Sequence, residues 1–417
     1  MRILPLTEAV AERILAVRRR SDPAAERVAA GIIADVRRRG DAAMFAWTRR
    51  LDGVRVTPKT LWVSARERRA GARAVSRGLR VALEHAARNI RRVAEQQRPR
   101  SWSIVVEPGV RVGQRVTAIE TVGCYIPGGR FSLVSTLLMT AVPAQVAGVA
   151  RIAVVCPKPN PALLAAAEML GIREIAHVGG AQAIAALAYG TRSVPRVDKI
   201  FGPGNRYVTA AKHLVSADCA IDMLAGPTEV LVVAAPGTPR FIAADLIAQA
   251  EHDPDATALL VTTSRALGAA VRDSVAEQVS ILPPTNPARR SLAANGAILI
   301  ARNVASAVRF ANRFAPEHMS VPGGEASLVR QLSSAGSLFI GPWAAQSVGD
   351  YASGTNHVLP TGGGARSRGG LSVWDFVRCT SVQELSRSGL RRLAPVVSAL
   401  AEAEGLVAHR RAVEVRE

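Results

Sequence analysis

An α/β fold built on parallel sheets is predicted for this 417-residue chain. Two series of short apolar runs, each run followed by a helix-length segment, predict it, and no low-complexity linker separates the two. In the first series, at about 125–227, ARIAVVCP, IREIAHVGG and VDKIFGPGN read as strands. NPALLAAAEMLG, AQAIAALAYG and RYVTAAKHLVS follow them as helices. The second series alternates TEVLVVAAPG, TALLVTT and GAILIAR with PRFIAADLIAQAEH, SRALGAAVRDSVAEQV and NVASAVRFANRFA. Parallel strands need crossover connections, and these helices supply them.

The flanking segments read differently. MRILPLTEAVAERILAVRRRSD carries Glu8 and Glu12 among apolar residues at helical spacing, which predicts an N-terminal helix and no signal peptide. DPAAERVAAGIIADVRRRG opens on a capping Asp with Pro in the first turn and closes at Gly40. A longer amphipathic helix is expected around 72–97. SWSIVVEPGVRVGQRVTAIETVGCYI alternates in strand fashion about a turn at Pro108-Gly109. From about 372 to its end the chain reads as helix.

Composition narrows the function classes. At 48% hydrophobic residues the chain can bury a sizeable core, and no apolar run reaches the roughly 18–20 residues that span a bilayer. Four scattered cysteines without CxxC spacing fit free thiols in a reducing cytoplasm. The formal charge of +20 raises nucleic-acid binding as a competing class. Only four of the 53 basic residues are lysines, and aromatic residues make up 4% of the chain, so stacking platforms are scarce. The densest runs, Arg18–Arg20, Arg37–Arg39 and Arg91–Arg92, lie at helical periods where charges form a solvated face. No nucleic-acid or membrane partner is expected.

Chemistry concentrates in a few polar motifs. GPGN (202–205) and VGGAQA (178–183) are glycine-opened turns between strand and helix, with Asn205 and Gln182 in them. Such turns bind anions or simply reverse the chain, and neither has the spacing of a dinucleotide fingerprint. QAEHDPD (249–255) sets Gln249 and His252 on one helix face. In SVGDYASGTNHVLPTGGGARSRGG, Asp350 and His357 bracket a Gly-Thr-Asn turn in a loop too glycine-rich for a core. AEAEGLVAH supplies Glu404 and His409, and NRFAPEHMSV places Glu317 beside His318. Four of the seven histidines fall in these motifs, which points to one metal-dependent or acid–base site in a soluble enzyme.

Taken in order along the chain, GCYIPGG, GGAQAIAALAYGT, VDKIFGPGN, AGPTEV, QAEHDPD, APEHMS, GDYASGTNHVLPT and AEAEGLVAH resemble the histidinol dehydrogenase family. That family oxidises L-histidinol to L-histidine with two NAD+, through an unreleased aldehyde, with one Zn2+ per site. The resemblance implies zinc ligands at Gln249, His252, Asp350 and His409, and NAD contacts at Tyr125, Gln182 and Asn205. It implies catalytic roles for Glu317 and His318. Substrate would be held by Thr228, Glu404 and His357 together with the zinc ligands and His318. It further implies two incomplete Rossmann-like domains, 21–124 with 228–371 and 125–227. Small helical domains would come from the chain ends (1–20 and 372–396), and a tail (397–417) would reach the partner of a homodimer. Thr228 stands where serine is common in the family, and Leu224 where proline is frequent. A relative oxidising another small polar alcohol, such as a sulfonated diol, is the alternative.

Overall fold

The computed structural model describes residues 1–18, 22–128 and 133–417. Arg19 and Arg20 of the first basic run, and Gly129 of GCYIPGG, lie outside the described residues. The chain opens on strand β1 (Arg2–Pro5) and helix α1 (Glu8–Arg18). Helices α2 (Pro23–Arg39), α3 (Asp41–Asp52), α4 (Ala65–Ala74) and α5 (Arg77–Gln97) follow. The Asp22 side chain caps α2 as expected, accepting from the Ala25 N–H. The single helix expected over 72–97 is instead two, because extended Ser76 caps α5 with a bond from the Leu79 N–H.

Strands β2 (Trp102–Glu107) and β3 (Val110–Ala118) form the hairpin about Pro108-Gly109. The first α/β series is β4 (Thr121–Tyr125), α6 (Val134–Ala147), β5 (Arg151–Val155), α7 (Pro161–Met169), β6 (Glu174–Ala176) and α8 (Gly180–Tyr189). It closes with β7 (Lys199–Phe201), α9 (Arg206–Val215) and β8 (Ala220–Ile221). The second is β9 (Glu229–Val233), α10 (Pro239–Ala250), β10 (Thr257–Thr262), α11 (Arg265–Ser280), α12 (Pro287–Ala294) and β11 (Ala297–Ile300). It continues through α13 (Val304–Phe314), β12 (His318–Val321), α14 (Ala326–Val329), β13 (Ser337–Ile340) and α15 (Gln346–Tyr351). The chain ends with β14 (Val377–Leu385), α16 (Arg387–Ala403) and α17 (Val407–Glu414).

Each series builds one all-parallel sheet, ordered β6-β5-β4-β7-β8 and β1-β11-β10-β9-β12-β13. Each series starts in the middle of its sheet and reverses direction, between β4 and β7 and between β9 and β12. Such reversals open a crevice in doubly wound folds. Apolar cores cover both faces of each sheet, which is why β9 is buried at every position.

Two expectations about the chain ends need correction. Residues 2–5 are not helical but pair with β11 at the edge of the six-stranded sheet. The stretch from 372 is not helical throughout, because β14 pairs antiparallel along nine residues of β3. Helices α2, α3 and α5 contribute side chains to the cores of the five-stranded sheet, and Gly71 of α4 packs on Leu164. Among the described residues no helix is long and apolar enough to cross a membrane.

Candidate active site

Thr228 immediately precedes β9 and Glu317 immediately precedes β12, its neighbour in the sheet, so both stand at the amino edge. The turn into Glu317 is made by Ala315, whose φ of 45° is the one positive non-glycine φ among the described residues. Glu317 is then pinned by its own carbonyl, which accepts from the Ser337 N–H at 2.9 Å. Its Oε2 accepts from the Thr228 hydroxyl and, at 2.9 Å, from the Glu229 N–H. Burial raises the Glu317 carboxyl above its ordinary range, against the opposing pull of His318 and these two donors.

His318 begins β12 and is buried. Its Nδ1 lies 3.3 Å from the Glu229 carbonyl and 3.7 Å from Glu317 Oε2, and its Nε2 lies 3.5 Å from Asp350 Oδ1. Burial opposes charge on this ring, but the two carboxylates outweigh it and lift its pKa above the usual histidine range. The Glu229 carbonyl can only accept, so Nδ1 is the nitrogen that carries the proton of the neutral ring. Asp350, on α15, is raised by burial but pulled below its ordinary value chiefly by His318.

A second group of ligand-type atoms meets Asp350 from the other side. The last turn of α10 carries Gln249, fully buried, and His252 follows it with Nε2 4.0 Å from Asp350 Oδ2. Gln249 Nε2 donates to the Thr228 hydroxyl, while its Oε1 is buried without any partner. His357 Nδ1 donates to the Asp350 carbonyl at 2.8 Å, which leaves Nε2 as the unprotonated nitrogen. Burial keeps that ring below the ordinary histidine pKa, hence neutral. The structure therefore brings Thr228, Gln249, His252, Glu317, His318, Asp350 and His357 into one chain of contacts.

Glu404 and His409 are not brought to it. Both are exposed, and no hydrogen bond or ion pair joins them to this group. No residue of α17 is buried. Among the described residues no three His, Cys, Asp or Glu side chains form a metal-holding group. Of the four residues expected to hold a metal, Gln249, His252 and Asp350 lie in this cluster and His409 lies apart from it.

Tyr125, Gln182 and Asn205 mark a second locus, at the carboxyl edge of the five-stranded sheet. Tyr125 ends β4, and its hydroxyl accepts from the Gly180 N–H at 3.1 Å. Gln182, in the first turn of α8, is fully buried; its Nε2 donates to Asp52 at 3.0 Å and its Oε1 has no partner. Asn205 caps α9. The intervening Gly202 has φ 107°, and a Cβ there would sit 2.2 Å from the Tyr125 carbonyl oxygen, so only glycine fits. Beneath it Lys212 and Asp222 form a buried ion pair. Lys212 Nζ donates to the Gly202 carbonyl at 2.9 Å, and the Gly202 N–H donates to Asp222 at 2.8 Å.

The family model for histidinol dehydrogenase matches residues 16–417. The chain belongs to the histidinol dehydrogenase family. A histidinol dehydrogenase from Syntrophotalea carbinolica is 46% identical over 397 residues, 94% of this chain and 92% of that one. One from Vibrio cholerae is 47% identical over 393 residues, 93% and 90% of the respective chains. The crystal structure of histidinol dehydrogenase from Elizabethkingia anophelis superposes with a TM-score of 0.94 at 35% identity. It covers all of this chain and 97% of that one. Membership in the histidinol dehydrogenase family makes the chain an oxidoreductase of a dehydrogenase type and accounts for the α/β architecture.

Sequence reasoning missed several buried charges near these loci. Arg18, placed with its run on a solvated face, is buried against Glu229. Lys212, Asp222 and Asp245 sit in helix or loop text that resembles any solvated segment. Cys124, Cys156 and Cys219 are buried packing residues whereas Cys379 is exposed, and burial pushes the Cys124 thiol up to about 12.

Proposed function

We propose that this chain oxidises L-histidinol to L-histidine in two NAD+-dependent steps, using Glu317 and His318 as the acid–base pair. The observation that carries the reading is the contact of His318 with both Glu317 and Asp350, together with the unpartnered amide oxygen of Gln249. A buried carbonyl oxygen without a donor is costly unless a ligand completes it. Together with His252 and Asp350 it forms a mixed nitrogen and oxygen set that suits Zn2+. Bound there, Zn2+ would supply a Lewis-acid anchor for the imidazole and amine of the substrate. The Gln182 oxygen and the glycine cradle at 180 and 202 fit NAD in the same way, with Tyr125 and Asn205 beside them.

His318 takes the hydroxyl proton of the alcohol as hydride leaves its carbon, giving the aldehyde. As the base, His318 would present Nε2 unprotonated while Nδ1 keeps its proton toward the Glu229 carbonyl. Glu317 then removes a proton from water as its oxygen adds to the aldehyde carbon, and the second hydride leaves the hydrate to give the acid. Burial raises the basicity of Glu317 for this task. Thr228 orients Glu317, and neutral His357 offers Nε2 to the substrate.

The tail completes the picture as a homodimer. Exposed Leu400, Leu406, Val407 and Val415 line α16 and α17, and an apolar surface of this kind favours burial against a second copy. His409 then supplies the fourth metal ligand and Glu404 a substrate contact in the partner's pocket. Free thiols, three of them buried, suit a cytoplasmic enzyme.

The deciding measurement is NADH produced from L-histidinol against a panel of amino and sulfonated alcohols. Two NADH per histidinol are expected. Activity confined to another alcohol would move the assignment to a relative of different substrate.

A further inference from the structure

The acid–base pair rests on a buried ion pair. Arg18 ends α1 and Glu229 begins β9, with side chains 6% and 4% exposed. Arg18 Nε donates to Glu229 Oε1 at 2.6 Å, and Nη2 donates to Oε2, so the contact is two-pronged. The third nitrogen, Nη1, donates to the Phe314 carbonyl, and the guanidinium lies 3.7 Å from the centroid of the Phe314 ring. The Gly362 N–H adds a contact to Glu229 Oε1 at 3.3 Å. Four segments meet here: the end of α1, the end of α13, the start of β9 and the loop at 362.

Each lies one step from the reacting groups. The Glu229 N–H donates to Glu317 Oε2, and the Glu229 carbonyl faces His318 Nδ1. Phe314 precedes the left-handed Ala315 that swings the chain into Glu317. Neither Arg18 nor Glu229 bonds to the catalytic side chains through its own charged group. Burying an ion pair is seldom the most stabilising way to fill a core, since desolvation offsets the attraction. What a two-pronged pair supplies, and an apolar filling does not, is fixed direction.

We infer that Arg18 and Glu229 are positioning residues that set the spacing of the Glu317 carboxylate and the His318 ring for both oxidations. The inference rests on the acid–base reading proposed above. A displacement of about 1 Å in such a pair can cost on the order of 10²-fold in rate.

The test compares Arg18→Lys, the charge-neutral double variant Arg18→Met/Glu229→Gln, and Glu317→Gln, each as full-length protein. Single-turnover hydride transfer is measured from supplied histidinol and from supplied histidinaldehyde, with KM and circular dichroism alongside. The double variant leaves no charge unpaired; it should fold and keep KM within about threefold, while both rates fall roughly 10–10²-fold. Arg18→Lys keeps the charge, loses the fork, and should fall about tenfold at both stages. Wild-type rates in the folded double variant would overturn the inference. If that variant does not fold, wild-type rates in Arg18→Lys overturn it equally. Full activity in Glu317→Gln would instead remove the acid–base reading on which it stands.

Discussion

Replacing Lys212 by methionine separates the loop proposed to hold the cofactor from the ion pair that shapes it. The Lys212 and Asp222 side chains are 3% and 0% exposed, so the variant strands a carboxylate in the core. Breaking a buried pair in this way costs about 3–5 kcal/mol, and the orphaned Gly202 carbonyl adds roughly 1 kcal/mol. With a urea dependence near 3 kcal/mol/M, the unfolding midpoint should drop by roughly 1–2 M. Below that midpoint the Gly202 turn loses its anchor, and Asn205 and Tyr125 lose their relative placement. The dissociation constant for NAD+, measured by calorimetry, should rise at least about tenfold while histidinol affinity stays within about twofold. Gly202→Ala attacks the same turn without touching the ion pair, since its Cβ meets the Tyr125 carbonyl at 2.2 Å. It should give the same selective loss of NAD+ affinity. Wild-type NAD+ affinity in folded Lys212→Met would refute the reasoning.

Three further outcomes are expected. Removing Zn2+ by chelation, or His252→Ala, should abolish turnover and leave the circular dichroism spectrum unchanged, because the helices that carry Gln249 and Asp350 are packed into the fold by their own buried side chains; turnover by protein shown metal-free by elemental analysis would contradict this. Asp245, on α10, is pushed by burial up to about 6. Its folded pKa therefore exceeds its unfolded one, so it costs stability progressively as pH rises from about 4 through 6, and Asp245→Asn should raise the melting temperature at pH 8 by the equivalent of about 1–2 kcal/mol but not at pH 4. Asp350→Ala and His409→Ala proteins should each be inactive yet recover about a quarter of wild-type activity when refolded together, since half the dimers are mixed and half their sites intact; a dimeric but inactive mixture excludes tail exchange.

The parts of the fold legible in the sequence are those with a strong local period. Strand β9 is five apolar or buried residues in a row between turn residues, and α2 carries its own cap at Asp22. What escaped detection lacked such a signal. Strand β14, VRCTSVQEL, has no buried residue on either face, so no alternation marks it, and its partner β3 lies more than 250 residues earlier. Helix α12 hides in a proline-rich stretch after α11. Arg18 shows the limit most plainly. A run of arginines on a helix normally faces water, and only the approach of Glu229, 211 residues away, makes one of them a core residue.

The placement of the site follows from the connection between the two sheets. Parallel sheets of this order usually bind ligands outside their carboxyl edge, and the cofactor contacts proposed for Tyr125 and Asn205 would follow that rule. Thr228, Glu317 and Gln249 do not, for they gather at the amino edge of the second sheet. Strand β8 ends at Ile221 and β9 starts at Glu229, so residues 222–228 join one carboxyl edge to the next amino edge without a helix. Seven residues reach at most about 25 Å, and this stretch is tied down on the way. Thr209 of α9 donates to the Ala225 carbonyl at 2.9 Å, and the Gly226 N–H donates to Thr361 at 2.5 Å. The carboxyl edge proposed to hold NAD+ is thereby tied to the amino edge proposed to carry the acid–base pair. A hydride acceptor and a proton acceptor must reach the same carbinol, so the proposed mechanism requires this short tied connector between unlike edges to let two separate sheets serve one carbon.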